Sequence, residues 1–252
     1  MAHALVTGAS RGIGRATAIA LSARGDRVAV HYGRDRDAAE QTLSMLQGEG
    51  HHLVGGDLAD PEAAQDVVDA ASTALGTIDL LVNNAATAPS AETFHRVDGI
   101  DYAGWQRVWR RMIDVDLLGV ANVTYLVADA LIAAKRPGTI VNVGSRGATR
   151  GEPDFPAYGA AKAGLHAFGQ SMAVALAPHG ISVATVAPGF VATDRQHERL
   201  AGPDGDAVRA QSPFGRVGTP EEVAAAILYL SSPEAQWASG AVLDLNGASH
   251  LR

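Results

Sequence analysis

"VTGASRGIG", residues 6–14, decides how the rest of this chain is read. It follows directly on the apolar triplet "ALV" (4–6) and leads into a helix-forming run near 12–24. A strand that turns through glycines into a helix needs three things of its backbone. Gly8 permits the tight turn, Gly12 lets the main chain approach a bound phosphate, and Gly14 lets the helix settle onto the sheet. The free N–H groups and the dipole at such a helix start favour an anion. Three glycines at a strand–helix turn can also serve packing alone, so the surrounding chain has to arbitrate.

The same rhythm continues outward. "RVAVHY" (27–32) precedes the charged helical run "DAAEQTLSMLQ", and "HLVGGDL" (52–58) precedes a helix opened by "DPEAA", with Asp60 as N-cap and Pro61 at the first helical position. "IDLLVNNA" (78–85), "GTIVNVGS" (138–145), "ISVATVAPG" (181–189) and "AVLDL" (241–245) complete seven short strands. Most are apolar on both faces, which predicts a parallel sheet covered by helices on each side. No linker, repeat or low-complexity segment interrupts residues 1–252, so a single α/β domain is expected. Two polar intervals, 87–104 and 190–213, are long for loops. Both follow strand C-termini, where open α/β sheets bind ligands, and the second is the better lid candidate because it follows the "PG" turn at 188–189.

Composition narrows the function classes. Hydrophobic residues make up 47% and charged residues 19%, an ordinary globular balance. The 27 acidic and 20 basic side chains show no basic cluster, so no nucleic-acid partner is expected. With no cysteine, disulfides and thiolate metal sites are excluded. The nine histidines lack metal-ligand spacing, and no metal is predicted. "MAHALVTGAS" has no leader pattern, and the apolar runs fall short of the ~18 residues that span a bilayer, so a cytoplasmic protein without membrane partners is expected.

"YGAAKAG" (158–164) places Tyr158 and Lys162 one helical turn apart on one face. Such a pair can simply cover a surface, or it can move protons, the ammonium easing ionisation of the phenol. The glycine spacing, G-x3-G-x-G, departs from the G-x-G-x-x-G dinucleotide fingerprint while sharing its mechanics. Taken with "GDL" (56–58), "NNAA" (83–86), "VGS" (143–145), "YGAAK" (158–162) and "PGFVAT" (188–193) in order, it resembles the short-chain dehydrogenase/reductase family from about residue 4 to 247. The segment "GTPEEVAAAILYLSSPEAQWASGAVLDLNG" is similar to the family's last helix and strand.

The resemblance implies a Rossmann fold and an NADPH-dependent ketoreductase similar to 3-oxoacyl-acyl-carrier-protein reductases. It makes Tyr158 the acid, Lys162 its charge partner and the holder of the nicotinamide ribose, and Ser145 the hydroxyl that polarises the carbonyl. It places Gly8, Ser10, Arg11, Gly12, Ile13 and Gly14 at the cofactor phosphates, and Asn83, Asn84 and Ala85 beside the adenosine ribose. Asp57 and Leu58 flank the adenine. Pro188, Gly189, Val191 and Thr193, at and just after the end of the sixth strand, are further cofactor-binding positions. Tyr32 stands where a carboxylate would select NAD; with Arg34 and Arg11 near, NADPH is expected over NADH.

Three positions depart from the pattern. Asp116 in "WRRMIDVDLLG" (109–119) replaces the Asn that supports a water relay to the lysine. An ionised Asp116 near Lys162 would offset the ammonium and raise the phenol pKa; a protonated one would not. Ala86 replaces a usual Gly, and "LDLNGA" replaces an acidic-Gly-Gly ending. No basic patch is evident for a carrier protein, so a free ketone, a polyketide-like aromatic or an alcohol in the oxidative direction stay open. A cofactor-binding sensor without turnover is the competing class, and a nucleotide-sugar epimerase is disfavoured by its different glycine spacing. The family's habit of forming tetramers implies packing through 105–135 and 157–178.

Overall fold

The structure, a computed structural model, describes residues 1–251, apart from the side chains of residues 195, 198 and 199; the last residue of the expected 1–252 domain lies outside the described residues. Seven strands form one sheet: β1 (His3–Val6), β2 (Arg27–Tyr32), β3 (His52–Gly55), β4 (Leu80–Asn83), β5 (Gly138–Val143), β6 (Ile181–Pro188) and β7 (Val242–Leu245). Their order is β3-β2-β1-β4-β5-β6-β7, and every pairing is parallel. Chain order reverses between β1 and β4, the point at which open sheets part to admit a ligand.

Among the described residues ten α-helices connect and cover the sheet: α1 (Gly12–Ala23), α2 (Arg36–Ser44), α3 (Pro61–Leu75), α4 (Tyr102–Ile113), α5 (Val120–Ala133), α6 (Gly147–Arg150), α7 (Pro156–Leu176), α8 (His197–Ala201), α9 (Gly205–Arg209) and α10 (Pro220–Leu230). Local signals explain their starts. Asp35, Asp60 and Asp101 accept hydrogen bonds from first-turn amides, and Thr219 with Glu222 forms a reciprocal capping box.

Strand alternation divides the core. Leu5, Ala29, Leu81, Ile140 and Val183 face one layer, where Val67, Leu131 and Leu176 of α3, α5 and α7 meet them. Their neighbours Ala4, Val6, Val28, Val30 and Val141 face the other, against Leu21 of α1 and Ile227 and Leu230 of α10. This is the expected doubly covered Rossmann sheet. The run Tyr102–Ala133 is, however, long and apolar enough by length and composition to cross a membrane, which the short apolar stretches of the sequence did not suggest. Half of its most apolar window is buried inside the protein, where α5 packs on α3, so it serves as a core helix.

Between α4 and α5 the helix widens into a π turn, Asp114–Gly119. Gly119 is required there, since a Cβ would sit 2.4 Å from the Leu58 carbonyl oxygen. The wide turn lets the helix pass over the β3–α3 connection while Asp116 points into the interior. The 190–213 interval is not a plain loop: α8 and α9 occupy it, joined by short turns.

Candidate active site

The glycine turn is held from below. Thr7 Oγ1 accepts from the amides of Asn84 and Ala85, and Asn84 Nδ2 donates to the carbonyls of Thr7 and Gly8 at 2.9 and 3.0 Å. His31 Nδ1 accepts from the Gly8 amide at 3.0 Å, while its Nε2–H donates to the Gly56 carbonyl at 3.0 Å. Burial pushes the His31 pKa down to about 4, which keeps the ring neutral and fixes that tautomer. Gly8 has φ +63° and Gly12 φ +54°. A Cβ on Gly8 would lie 2.8 Å from Ala85 Cα, and one on Gly14 would lie 2.4 Å from the Gly8 carbonyl oxygen. Arg11, at the start of α1, makes no side-chain cap, so the first-turn amides of Gly12, Ile13 and Gly14 have no side-chain acceptor there. Thr193 leans over Gly12 from the far side, its Cγ2 3.1 Å from where a Cβ would be. Backbone concavity, glycines and helix start fit a phosphate-bearing cofactor.

Ser145 and Tyr158 come together just past the end of β5. Ser145 Oγ accepts from the Gly147 amide at 3.0 Å and hydrogen-bonds the Tyr158 hydroxyl. Lys162, buried on α7, donates to the Val143 carbonyl at 3.0 Å, and its Nζ lies 5.8 Å from the Tyr158 ring centroid. Burial lowers the lysine pKa, and Asp116 pulls it back up. Asp116 Oδ1 accepts from the Thr87 amide at 2.6 Å, whereas Oδ2 is buried without a partner among the described residues. Desolvation raises the Asp116 pKa to about 6 despite the nearby ammonium. For the Tyr158 phenol the structure departs from the ammonium-lowered alternative and agrees with the one in which Asp116 raises its pKa. Its pKa is pushed up rather than down, first by burial and then by the charges of Asp116 and Glu152.

Two histidines that sequence reasoning passed over hold this group. His95 Nε2 accepts from the Ala157 amide at 2.9 Å, anchoring the start of α7 one residue before Tyr158. His166 packs against Gly144, where a Cβ would lie 2.2 Å from its Nε2. Isolated histidines at 31, 95 and 166 carry no spacing signal, because each acts on backbone groups distant in sequence. Among the described residues no group of three or more His, Asp or Glu side chains is arranged to hold a metal.

The far end of the cleft is more mixed. Tyr32 ends β2 with its ring over Gly55, and Arg34 is exposed, its charge felt at Asp57. Arg11 is already paired with Asp35, the cap of α2. Asp57 takes a 2.8 Å hydrogen bond from Arg111 on α4, which holds its carboxyl below the usual range. Leu58 is buried in the core. Asn83 is also turned inward, donating to Thr124 and Asn142 at 3.0 Å, which leaves its backbone for any ligand. Ser10 offers its carbonyl to Arg15 and Thr42. After β6, Pro188 accepts from the Arg146 amide, Gly189 donates to Leu245, and Val191 bridges to Gly218.

A protein-family model described as enoyl-(acyl carrier protein) reductase matches residues 8–250. The chain is 36% identical over 248 residues to the 3-oxoacyl-[acyl-carrier-protein] reductase FabG of Vibrio cholerae serotype O1, covering 98% of this chain and 97% of that protein. It is 34% identical to the L-rhamnose 1-dehydrogenase (NAD(P)(+)) of a Sphingomonas species, covering 98% and 95%. Among solved structures, one described as ribose-5-phosphate isomerase from Brucella melitensis superposes with TM-score 0.87 at 29% identity, over 97% of this chain and 90% of that one. That likeness concerns the fold, and its isomerase name belongs to the other protein. Near-complete coverage by the family model and by relatives above 30% identity places this chain in the short-chain dehydrogenase/reductase family of oxidoreductases.

Proposed function

We propose that the protein is an NADP(H)-dependent ketoreductase that interconverts a ketone and a secondary alcohol, with Tyr158 as its acid and base. The observation that carries this reading is the convergence of the Ser145 hydroxyl, the Tyr158 phenol and the Lys162 ammonium past the end of β5. The names of the relatives support the chemistry class: one is a 3-oxoacyl reductase, the other a dehydrogenase whose name carries both nicotinamide forms.

In the reductive direction Ser145 orients the carbonyl. Its oxygen takes the Gly147 amide, and on binding its proton turns from the Tyr158 oxygen to the substrate carbonyl. Tyr158, with its pKa held above the ordinary value, stays protonated at neutral pH and delivers its proton as the alkoxide forms. Lys162 stabilises the resulting phenolate, and the unpartnered Oδ2 of Asp116 offers a buried acceptor near the ammonium for proton resupply. A nicotinamide held there would supply or accept the hydride. The amides of Gly12, Ile13 and Gly14 would hold its pyrophosphate, and Lys162 its ribose. NADPH is favoured because β2 ends in Tyr32 rather than a carboxylate, with Arg34 exposed two residues on. Arg11 contributes less, since Asp35 holds it. We further infer a homotetramer in the cytoplasm, packed through 105–135 and 157–178, where Leu118, Tyr125 and Val174 are exposed.

The test is the oxidation of NADPH and of NADH against β-ketoester, acyl-thioester, cyclic and aromatic ketones, by wild type and Tyr158→Phe. The expected result is NADPH-preferring turnover that falls by about two to four orders of magnitude in the variant while NADPH still binds. Turnover that survives in Tyr158→Phe refutes the assignment.

A further inference from the structure

Arg146 follows the carbonyl-orienting Ser145 directly and is buried, with 4% of its surface exposed. Among the described residues no carboxylate comes within 4 Å of its guanidinium. Its terminal nitrogens donate to neutral oxygens instead, Ser249 Oγ at 2.5 Å and Gln211 Oε1 at 2.6 Å, and its Cζ lies 4.7 Å from the Phe190 ring centroid. Arg150 reaches the same Gln211 Oε1 from the other side at 3.0 Å. Two guanidinium groups thus converge on one amide oxygen. Burial, and then the charge of Arg150, disfavour the Arg146 charge, while Glu152 favours it. A desolvated cation costs several kcal/mol unless an anion compensates it. A neutral amide oxygen is a weak substitute for one.

Arg146 also faces a cavity of about 480 Å³. Its walls are largely apolar, with Val191, Val208, Phe214, Val217 and Val223 prominent. The acidic residues on the wall do not serve the arginine. Glu222 is held by both terminal nitrogens of Arg216, and Asp244 lies exposed on the edge strand β7, where solvent screens it. The volume is in the range of small-molecule sites, and its make-up is apolar walls with a few convergent polar groups.

We propose that this cavity binds an anionic oxygen group, a carboxylate or a phosphate monoester, carried at the end of an apolar chain, with Arg146 and Arg150 closing on the anion in place of Gln211. Because Arg146 adjoins Ser145, and resting on the ketoreductase reading for this step, the anion is the remote end of the carbonyl substrate. Substrate choice then depends on charge at the tail as well as on the ketone. Gln211 belongs to the segment after α9 and Ser249 to the C-terminal tail, so the same arginine also ties both to the end of β5.

The experiment is calorimetric titration of the intact chain with hexanoate, hexyl phosphate and methyl hexanoate, for wild type, Arg146→Gln, Arg146→Lys and Arg150→Gln. At least one anion should bind about tenfold or more tighter than the ester, as a charge-assisted contact requires. Which anion does so separates carboxylate from phosphate. The preference should shrink below about threefold in Arg146→Gln and survive in part in Arg146→Lys. If Arg146→Gln fails to fold, the exposed Arg150→Gln carries the test, and its preference must fall as well. Equal binding of ester and anions, no binding of any of the three, or a preference that survives the glutamine variants overturns the site. Binding does not require turnover, so a failed ketoreductase assay leaves this result readable. With anion binding established, a keto acid reduced no faster than its methyl ester would overturn the identification of the ligand as substrate.

Discussion

Asp116 and His31 respond to acid in opposite senses, and replacing Asp116 by Asn should separate them. Asp116 has its pKa raised from 3.8 to about 6 in the folded chain by burial, its largest cause. The folded state therefore binds this proton more tightly than the unfolded state. The resulting stabilisation is full below about 3.8 and is lost as pH rises through about 6. At 1.36 kcal/mol per pH unit, it amounts to about 3 kcal/mol. His31 has its pKa lowered from 6.5 to about 4, so the folded state loses stability as pH falls through that interval, by a similar amount. In the wild type these two contributions largely cancel between pH 4 and 6.5. Asp116→Asn removes the first and leaves the second. Urea unfolding at several pH values should then show the variant gaining about 3 kcal/mol on the wild type between pH 4 and 6.5, with a correspondingly steeper acid loss of its own. Only the pH dependence of the difference matters, so the packing cost of the amide drops out. Parallel stability curves for the two proteins would mean that Asp116 titrates normally and that its buried oxygen carries no electrostatic role. The same variant should lower the Tyr158 pKa, since Asp116 raises it, and so move the basic limb of the pH–rate profile downward.

Three further perturbations probe the cofactor side. Gly14→Ala sets a Cβ 2.4 Å from the Gly8 carbonyl, so a loss of about 1–3 kcal/mol in urea unfolding and weaker NADPH binding are expected; an unchanged midpoint would refute the close packing. His31→Leu strands the Gly8 amide and the Gly56 carbonyl, which costs about 1–3 kcal/mol for each and should raise the KM for cofactor more than it lowers kcat. Arg34→Ala should weaken NADPH binding about ten- to hundredfold, by the loss of a charge-assisted phosphate contact, and leave NADH binding within about twofold. Equal losses for both cofactors in a binding titration would remove Arg34 from cofactor selection.

The sheet was legible because its signal is repeated and local. A strand such as "LLV" in β4, buried on both faces, has to be apolar at every position, and the starts of α2, α3, α4 and α10 carry their own Asp or Thr caps. The π turn was not legible. Its cause is the passage of the helix over Leu58, and Gly119 and Leu58 are distant in sequence. The lid interval hid α8 and α9 for a different reason: each has only five residues, too few to show a period of 3.6.

Part of the site could be read by motif, and part depends on what the fold does to the motif. The Tyr158–Lys162 spacing and the opposing charge of Asp116 were visible, whereas the larger effect of burial on the phenol was not. Sequence places a lysine one turn away, but burial acts on both groups and Asp116 adds a negative charge, so desolvation outweighs the ammonium in the chain itself. Arg11 looked free for a phosphate because the helix cap that engages it, Asp35, is twenty-four positions away. Arg146 is the sharpest case. In "SRGATRGE" it reads as one of several scattered charges, and only the fold shows that it is buried without a counter-ion among the described residues while Arg150 lies at the surface. A charge acquires specific meaning when the fold removes its water. For that reason, substrate choice is better sought at Arg146 than in the net charge of the segment that contains it.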